Sequence, residues 1–439
     1  MPILPSYFTF RTMQKYAFVF IGFVLSILLF ACGTSNNSDK RYTVLRQKFT
    51  PLKTFKSFSY KLSPDNQLNS DEQRFKAGLE MMCNYEYSKA ERIFLNLYNQ
   101  TNNDTLQTEA AKIIFNILFA KSDWKKIREF DNVINKEIED KDKIMVLAKA
   151  FSIAPKERIV FSQDTSVINW TKSPSGCPII PCYINGRIRY FWFDTGANYS
   201  VISSDIAEEC DVSPVIYEQS KARTGTIRKV NIYPAVVDSI RIGGVSIYNS
   251  PFVIVHDFDL KLRLFGSQNK TKIDGIIGWK IIQNLDLSID SKHYTFTIRK
   301  PLNKQIARND KNFFWLGCPF LAIKEKSGTP LIFGLDFGSE HSGITNYIFK
   351  KIAFEKIYTR VEPKTSVGGS IFYNSTLVSH LPIIISGHLI EFQNIATSYQ
   401  VPYLFLHLDG IIGSDIMRNA IITLDIRNGI FKFEPYPND

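Results

Sequence analysis

No apolar run in this 439-residue chain reaches the roughly 20 residues that a membrane-spanning helix needs; the nearest, Tyr16–Phe30, has fifteen. Only six histidines are present (His256, His293, His341, His380, His388, His407), and none stands at a spacing typical of metal ligands. That argues against a metal hydrolase, and no metal or other cofactor is expected. No Gly-x-Ser-x-Gly occurs, so a serine nucleophile elbow is absent as well. The chain has six cysteines, too few for a disulfide scaffold of this size. Acidic residues are missing altogether between Lys40 and Lys61, which carries seven basic ones, and the formal net charge is +11. The basic residues are not interleaved with stacking aromatics, so no nucleic-acid partner is implied.

The beginning of the chain reads as a targeting segment. Arg11 and Lys15 precede the apolar run, which ends Leu29-Phe30-Ala31-Cys32-Gly33. This resembles a bacterial lipobox, in which the cysteine, here Cys32, would be lipidated and become the mature N-terminus. An uncleaved anchor helix is the alternative, and either reading puts the body outside the cytoplasm. Residues 32–69 form a polar tether and basic linker, which lies against anionic headgroups or is simply solvated. Residues 70–157 change character. Ala77-Gly78, Ala90 and Phe94, with amphipathic stretches at Leu106–Ala120, Trp124–Asn132 and Lys141–Phe151, predict helices. One helical pair resembles a tetratricopeptide-type repeat, so this region is either a protein-binding surface or a structural cover.

From residue 158 onward the pattern is short strands punctuated by Gly and Pro. Within it two blocks repeat. Asp194, Gly196, Ser200 and Ile202 recur 142 residues later as Asp336, Gly338, Ser342 and Ile344. Asp274-Gly275-Ile276-Ile277-Gly278 recurs 135 residues later as Asp409-Gly410-Ile411-Ile412-Gly413. Two blocks in the same order and at near-equal spacing predict two lobes of one design, 158–300 and 313–439, joined by a linker at 301–312. In each lobe a strand hairpin, turning at Asn185-Gly186 or Ser327-Gly328, ends on a carboxylate followed by a small-residue turn.

Two such carboxylates facing each other cannot both ionise easily; they share a proton and titrate as a unit. The ionised member can then take a proton from a water while the protonated one donates to a carbonyl oxygen, which hydrolyses an amide without metal or covalent intermediate. Such chemistry is expected at acidic to mildly acidic pH.

Phe193-Asp194-Thr195-Gly196-Ala197 with Ser200, followed by Asp274 to Gly278, resembles the retropepsin-like aspartic proteases, and more narrowly the two-lobed lipoprotein forms of Bacteroidetes type. The resemblance spans about residues 170–437. It implies a mainly β fold of two pseudo-twofold-related β-barrel lobes behind a small α-helical domain, acting as an endopeptidase on peptide or protein substrates at the cell envelope. Asp194 and Asp336 would be catalytic. Thr195, Gly196, Ala197, Ser200, Phe337, Gly338, Ser339 and Ser342 would support the active turns. Asp274 and Asp409, with the Ile-Ile-Gly segments, would be structural. Flaps are expected around Gly225 in the first lobe and Gly368-Gly369 in the second. Phe337 departs from the family's Thr or Ser, whose hydroxyl ties the turns together. Beside Asp336 its apolar ring is expected to keep that carboxyl protonated, leaving Asp194 as the base. With that departure, a non-catalytic peptide-binding cleft is the alternative function. Cys177-Pro178 and Cys318-Pro319 occupy matching places, as a bridge across the lobes or as buried thiols.

Overall fold

A computed structural model describes residues 20–21, 69–130, 141–173, 176–225, 229–263, 270–304, 306, 310–315, 318–366, 369–397 and 408–437. Cys32, the basic tether, Val367 and Gly368 lie outside the described residues.

Five helices come first: α1 (Ser70–Cys83), α2 (Tyr87–Gln100), α3 (Asp104–Ala120), α4 (Trp124–Glu129) and α5 (Lys141–Ile153). Asn69 opens α1 with a reciprocal capping box, its side chain accepting from Glu72 N–H while the Glu72 carboxylate accepts from Asn69 N–H. Helices α1 and α2 close on each other where Gly78 has no side chain, since a Cβ there would meet the Phe94 ring at 2.7 Å. Phe75 packs edge-on against the same ring.

The rest is built from strands. Hairpin β1 (Pro178–Ile184) and β2 (Arg187–Phe193) turns through Asn185 and Gly186, both at positive φ, as a two-residue hairpin demands. β3 (Ser200–Ser203) follows the first carboxylate turn and β4 (Ser220–Arg223) leads toward Gly225. The long strands β5 (Lys229–Ile242) and β6 (Val245–Val255) pair antiparallel along most of their length. The short β7 (Gly275–Ile277) slots between β2 and β3. Pairing in the order β6-β3-β7-β2-β1-β5 returns to β6, so six strands close a barrel and leave no free edge among them.

The second half repeats this connectivity with β8 (Pro319–Glu325), β9 (Pro330–Leu335), β10 (Gly343–Ile344), β11 (Ile357–Ser366), β12 (Gly369–Ile385), β13 (His388–Ala396) and β14 (Gly410–Ile412). β14 runs parallel to β9 and antiparallel to β10, as β7 does to β2 and β3. A single bridge, Ile344 to Thr397, joins β10 to the end of β13.

A five-stranded antiparallel sheet holds the halves together. Asp286–Asp290, from the first, pairs with Ala420–Asp425, from the second, in a register that puts Asp286 opposite Asp425 and Ser288 opposite Thr423. Residues 288 and 423 are repeat equivalents, so the pairing is symmetric about them, and their hydroxyls meet at 3.0 Å. One apolar core runs from the helices through both halves.

Candidate active site

The first carboxylate turn leaves β2 at Phe193, and three hydrogen bonds shape it from below. Asp194 N–H donates to Ile277 O (3.0 Å), Trp279 N–H to Ala197 O (2.6 Å), and Gly278 N–H to Ser200 Oγ (3.1 Å). The second turn repeats all three. Asp336 N–H donates to Ile412 O (2.9 Å), Ser414 N–H to Ser339 O (2.8 Å), and Gly413 N–H to Ser342 Oγ (3.0 Å). Each Ile-Ile-Gly strand thus floors an active turn. Gly278 is required there because a Cβ would collide with the Tyr199 carbonyl.

The two turns then interlock. A Cβ on Gly196 would fall on the Asp336 carboxyl group, and a Cβ on Gly338 would fall on that of Asp194. Each glycine therefore makes room for the other turn's carboxylate, and the two carboxyl groups lie close enough to shift one another's titration. Both are buried. Gly196 N–H donates to Asp194 Oδ1 at 2.8 Å. The Thr195 hydroxyl crosses the interface, donating to Leu335 O (3.1 Å) and accepting from Phe337 N–H (2.9 Å).

No reciprocal hydroxyl exists, because Phe337 is fully buried in the core. The carbonyl that such a hydroxyl would serve, by repeat equivalence to Leu335 O, is Phe193 O. It accepts instead from the Cys177 thiol at 3.4 Å. Cys177, Cys182, Cys210 and Cys318 are all buried and unbridged.

Burial pushes both carboxyl groups up. Asp194 is raised well above the usual carboxylate range by desolvation and by the Asp336 charge next to it. Asp336 is pushed up to about 6 by desolvation, while the Asp194 carboxyl and then the Lys364 charge on β11 pull it back down. Lys364 is itself buried and pushed down to about 8 by desolvation, with Asp336 opposing. Both shifts are upward, so the pair holds a proton between its two carboxyl groups, and the Lys364 charge favours the ionised form on the Asp336 side. Lys364 was missed in the sequence, where a lysine in a polar strand carries no such signal.

The two flap segments approach each other. Gly225 N–H donates to Ser366 Oγ at 3.1 Å, joining the loop after β4 to the end of β11. Gly369 starts β12 and pairs with Ser366 across the hairpin. Asp274 and Asp409 sit away from the dyad. Asp274 Oδ2 accepts from Tyr190 N–H at 3.4 Å. Asp409 is fully buried, accepts from Ile332 N–H (2.8 Å) and pairs with Lys351 (2.5 Å). Ser339 turns inward to donate to His341 O at 2.9 Å. Among the described residues, no group of three His, Cys, Asp or Glu side chains could hold a metal ion.

Residues 180–268, which include the first active turn, match the family model described as gag-polyprotein putative aspartyl protease. The first half thus contains a stretch similar to that family. A retropepsin-like aspartic protease from Rickettsia conorii, known from its crystal structure, is similar at 14% identity over 33% of this chain and 93% of its own, with a TM-score of 0.22. No curated protein matches the chain. The matched stretch ends before the second turn.

Proposed function

We propose that the chain is an aspartic endopeptidase whose two halves are retropepsin-like lobes related by a local twofold axis. The observation that carries this reading is the crossed seating of Asp194 and Asp336, each carboxyl group over the glycine of the opposite turn. With the proton on Asp194 and the charge on Asp336, a water between them loses its proton to Asp336 and attacks the peptide carbonyl carbon. Asp194 donates its proton to the carbonyl oxygen as the tetrahedral diol forms. Collapse of the diol returns one hydroxyl proton to Asp194 and expels the amine, which takes up the proton that Asp336 received, so the dyad regains its single proton. Extended peptide is the substrate class this cleft suits, and Cys32 would anchor the enzyme to the cell envelope through lipid.

The test is cleavage of a mixed peptide library by wild type, Asp194→Asn and Asp336→Asn, with and without a chelator. Wild type should cleave, neither variant should, and the chelator should change nothing. Cleavage by either Asn variant at the wild-type rate would defeat the dyad. Peptide binding without cleavage by wild type would make the cleft a binding module, a reading that draws on the missing hydroxyl at Phe337. Cys32→Ser should leave an unprocessed precursor without lipid label; normal labelling would remove the anchor.

A further inference from the structure

The first and second active turns are supported differently at their outer ends. In the second, Asp415 reaches the turn directly, accepting from Ser342 N–H (2.8 Å) and Ser342 Oγ (2.6 Å). Its repeat equivalent in the first half is Lys280, which cannot accept a hydrogen bond. The backbone of Lys280 still holds the turn, N–H to Asn198 O at 3.2 Å. Its side chain leaves the barrel and enters the helical region. There Nζ donates to Phe119 O (2.9 Å) and Ala120 O (2.7 Å), the last carbonyls of α3. A buried cation at a helix C-terminus satisfies carbonyls that have no partner within the helix and complements the helix dipole.

A second, independent contact lies on the turn itself. Tyr199, one residue before Ser200, is fully buried among Phe119 (5.2 Å between ring centroids, edge-on), Trp124 (6.2 Å, stacked) and Phe151 (6.2 Å), all from the helical region. The matching residue of the second turn, His341, instead lies beside Glu340. At its outer end the second turn is braced from within its own half, and the first by α3, α4 and α5.

We propose that the helical region is a positioning element of the first active turn, acting through Lys280 and Tyr199 to hold Asp194 in register with Asp336. The helices are then part of the catalytic assembly, because the groups that fix the first turn from outside belong to them. Burial pushes the Lys280 ammonium down to about 8 and the Glu157 charge opposes this, so the contact is made by a charged donor at neutral pH.

The kinetic arm of the test rests on the proteolytic reading; the exchange arm does not. In the full chain, Lys280→Met keeps the aliphatic stem and removes the donor. We expect amide hydrogen exchange over residues 194–200 to speed up while residues 336–342 stay as in wild type. We also expect kcat for peptide cleavage to fall about ten- to a hundredfold with KM within about twofold, as for a misplaced catalytic group. Lys280→Arg, which restores a charged donor, should recover most of both. Unchanged exchange over 194–200 in Lys280→Met overturns the proposal, whether or not the protein cleaves peptides. So does a change confined to KM. If wild type cleaves nothing, the exchange result alone decides, and that failure belongs to the proteolytic reading. Should Lys280→Met not accumulate, Phe119→Leu, which removes a ring from Tyr199 while staying apolar, takes its place with the same readouts.

Discussion

At the scale of single residues, Thr195 carries the interface between the turns, and the asymmetry around it makes that role testable. Its hydroxyl serves two backbone groups of the second half at once. Thr195→Val is nearly isosteric and would leave Phe337 N–H and Leu335 O buried without it. A loss of about 2–4 kcal/mol in unfolding free energy is expected, with most of the peptide cleavage. A variant as stable and active as wild type would refute that role. Lys364 governs the pH dependence. Below about 6 both carboxyl groups are protonated and no base exists; above it Asp336 is ionised, so cleavage should rise through pH 6, which moves the expected range from acidic toward neutral pH. Replacing Lys364 by Met removes the charge that favours the carboxylate, so Asp336 must titrate higher and the acid limb should move up by about one unit. An unmoved limb would mean that Lys364 does not act on the dyad. Stability follows the same titration. A carboxyl group whose folded pKa is raised stabilises fully below its unfolded value near 3.8, and that contribution is lost as pH rises through about 6. Asp336→Asn should therefore raise the thermal midpoint at pH 7 by about 2–5 °C and change little at pH 3.5.

Among the elements, the flap hairpin formed by β11 and β12 is where pattern and position part company. In β11 the polar residues Glu362, Lys364 and Ser366 are buried, while Ile357 and Val361 are more than half exposed. Alternation read by the usual rule puts the apolar face inward. Here the inward face borders a charged dyad, so the rule inverts and Lys364 looks like a surface lysine in the sequence. The contact of Gly225 with Ser366 joins the two candidate flap segments. Ser366→Ala should raise KM for peptides about three- to tenfold with a smaller effect on kcat, since a lid that commits substrate is weakened; an unchanged KM would place the link outside substrate binding. The carboxylate turns and the Ile-Ile-Gly floors were legible because their chemistry is local and occurs twice. Tyr199, Lys280 and Cys177 were not, because each is defined by a partner far along the chain. Burial of Tyr199 depends on helices roughly 50 to 80 residues upstream, which no periodicity around Asn198 can announce. Thr195 was readable as a support for the turn, but the thiol facing Phe193 O follows only from how the hairpin folds back.

For the molecule as a whole, the strands 286–290 and 420–425 matter more than their length suggests. Their register is symmetric about Ser288 and Thr423, so neither half completes its part of that sheet alone. The β body should unfold in one cooperative transition by calorimetry, and two separated transitions would argue that the halves are independent units. A further consequence concerns dilution. Both carboxylates belong to one polypeptide, and the sheet that aligns them is closed within that polypeptide. Specific activity should therefore stay flat from micromolar to picomolar protein, with no threshold concentration beneath which the catalyst comes apart. Mixing inactive Asp194→Asn and Asp336→Asn chains should restore nothing, because neither can lend the other its missing carboxylate.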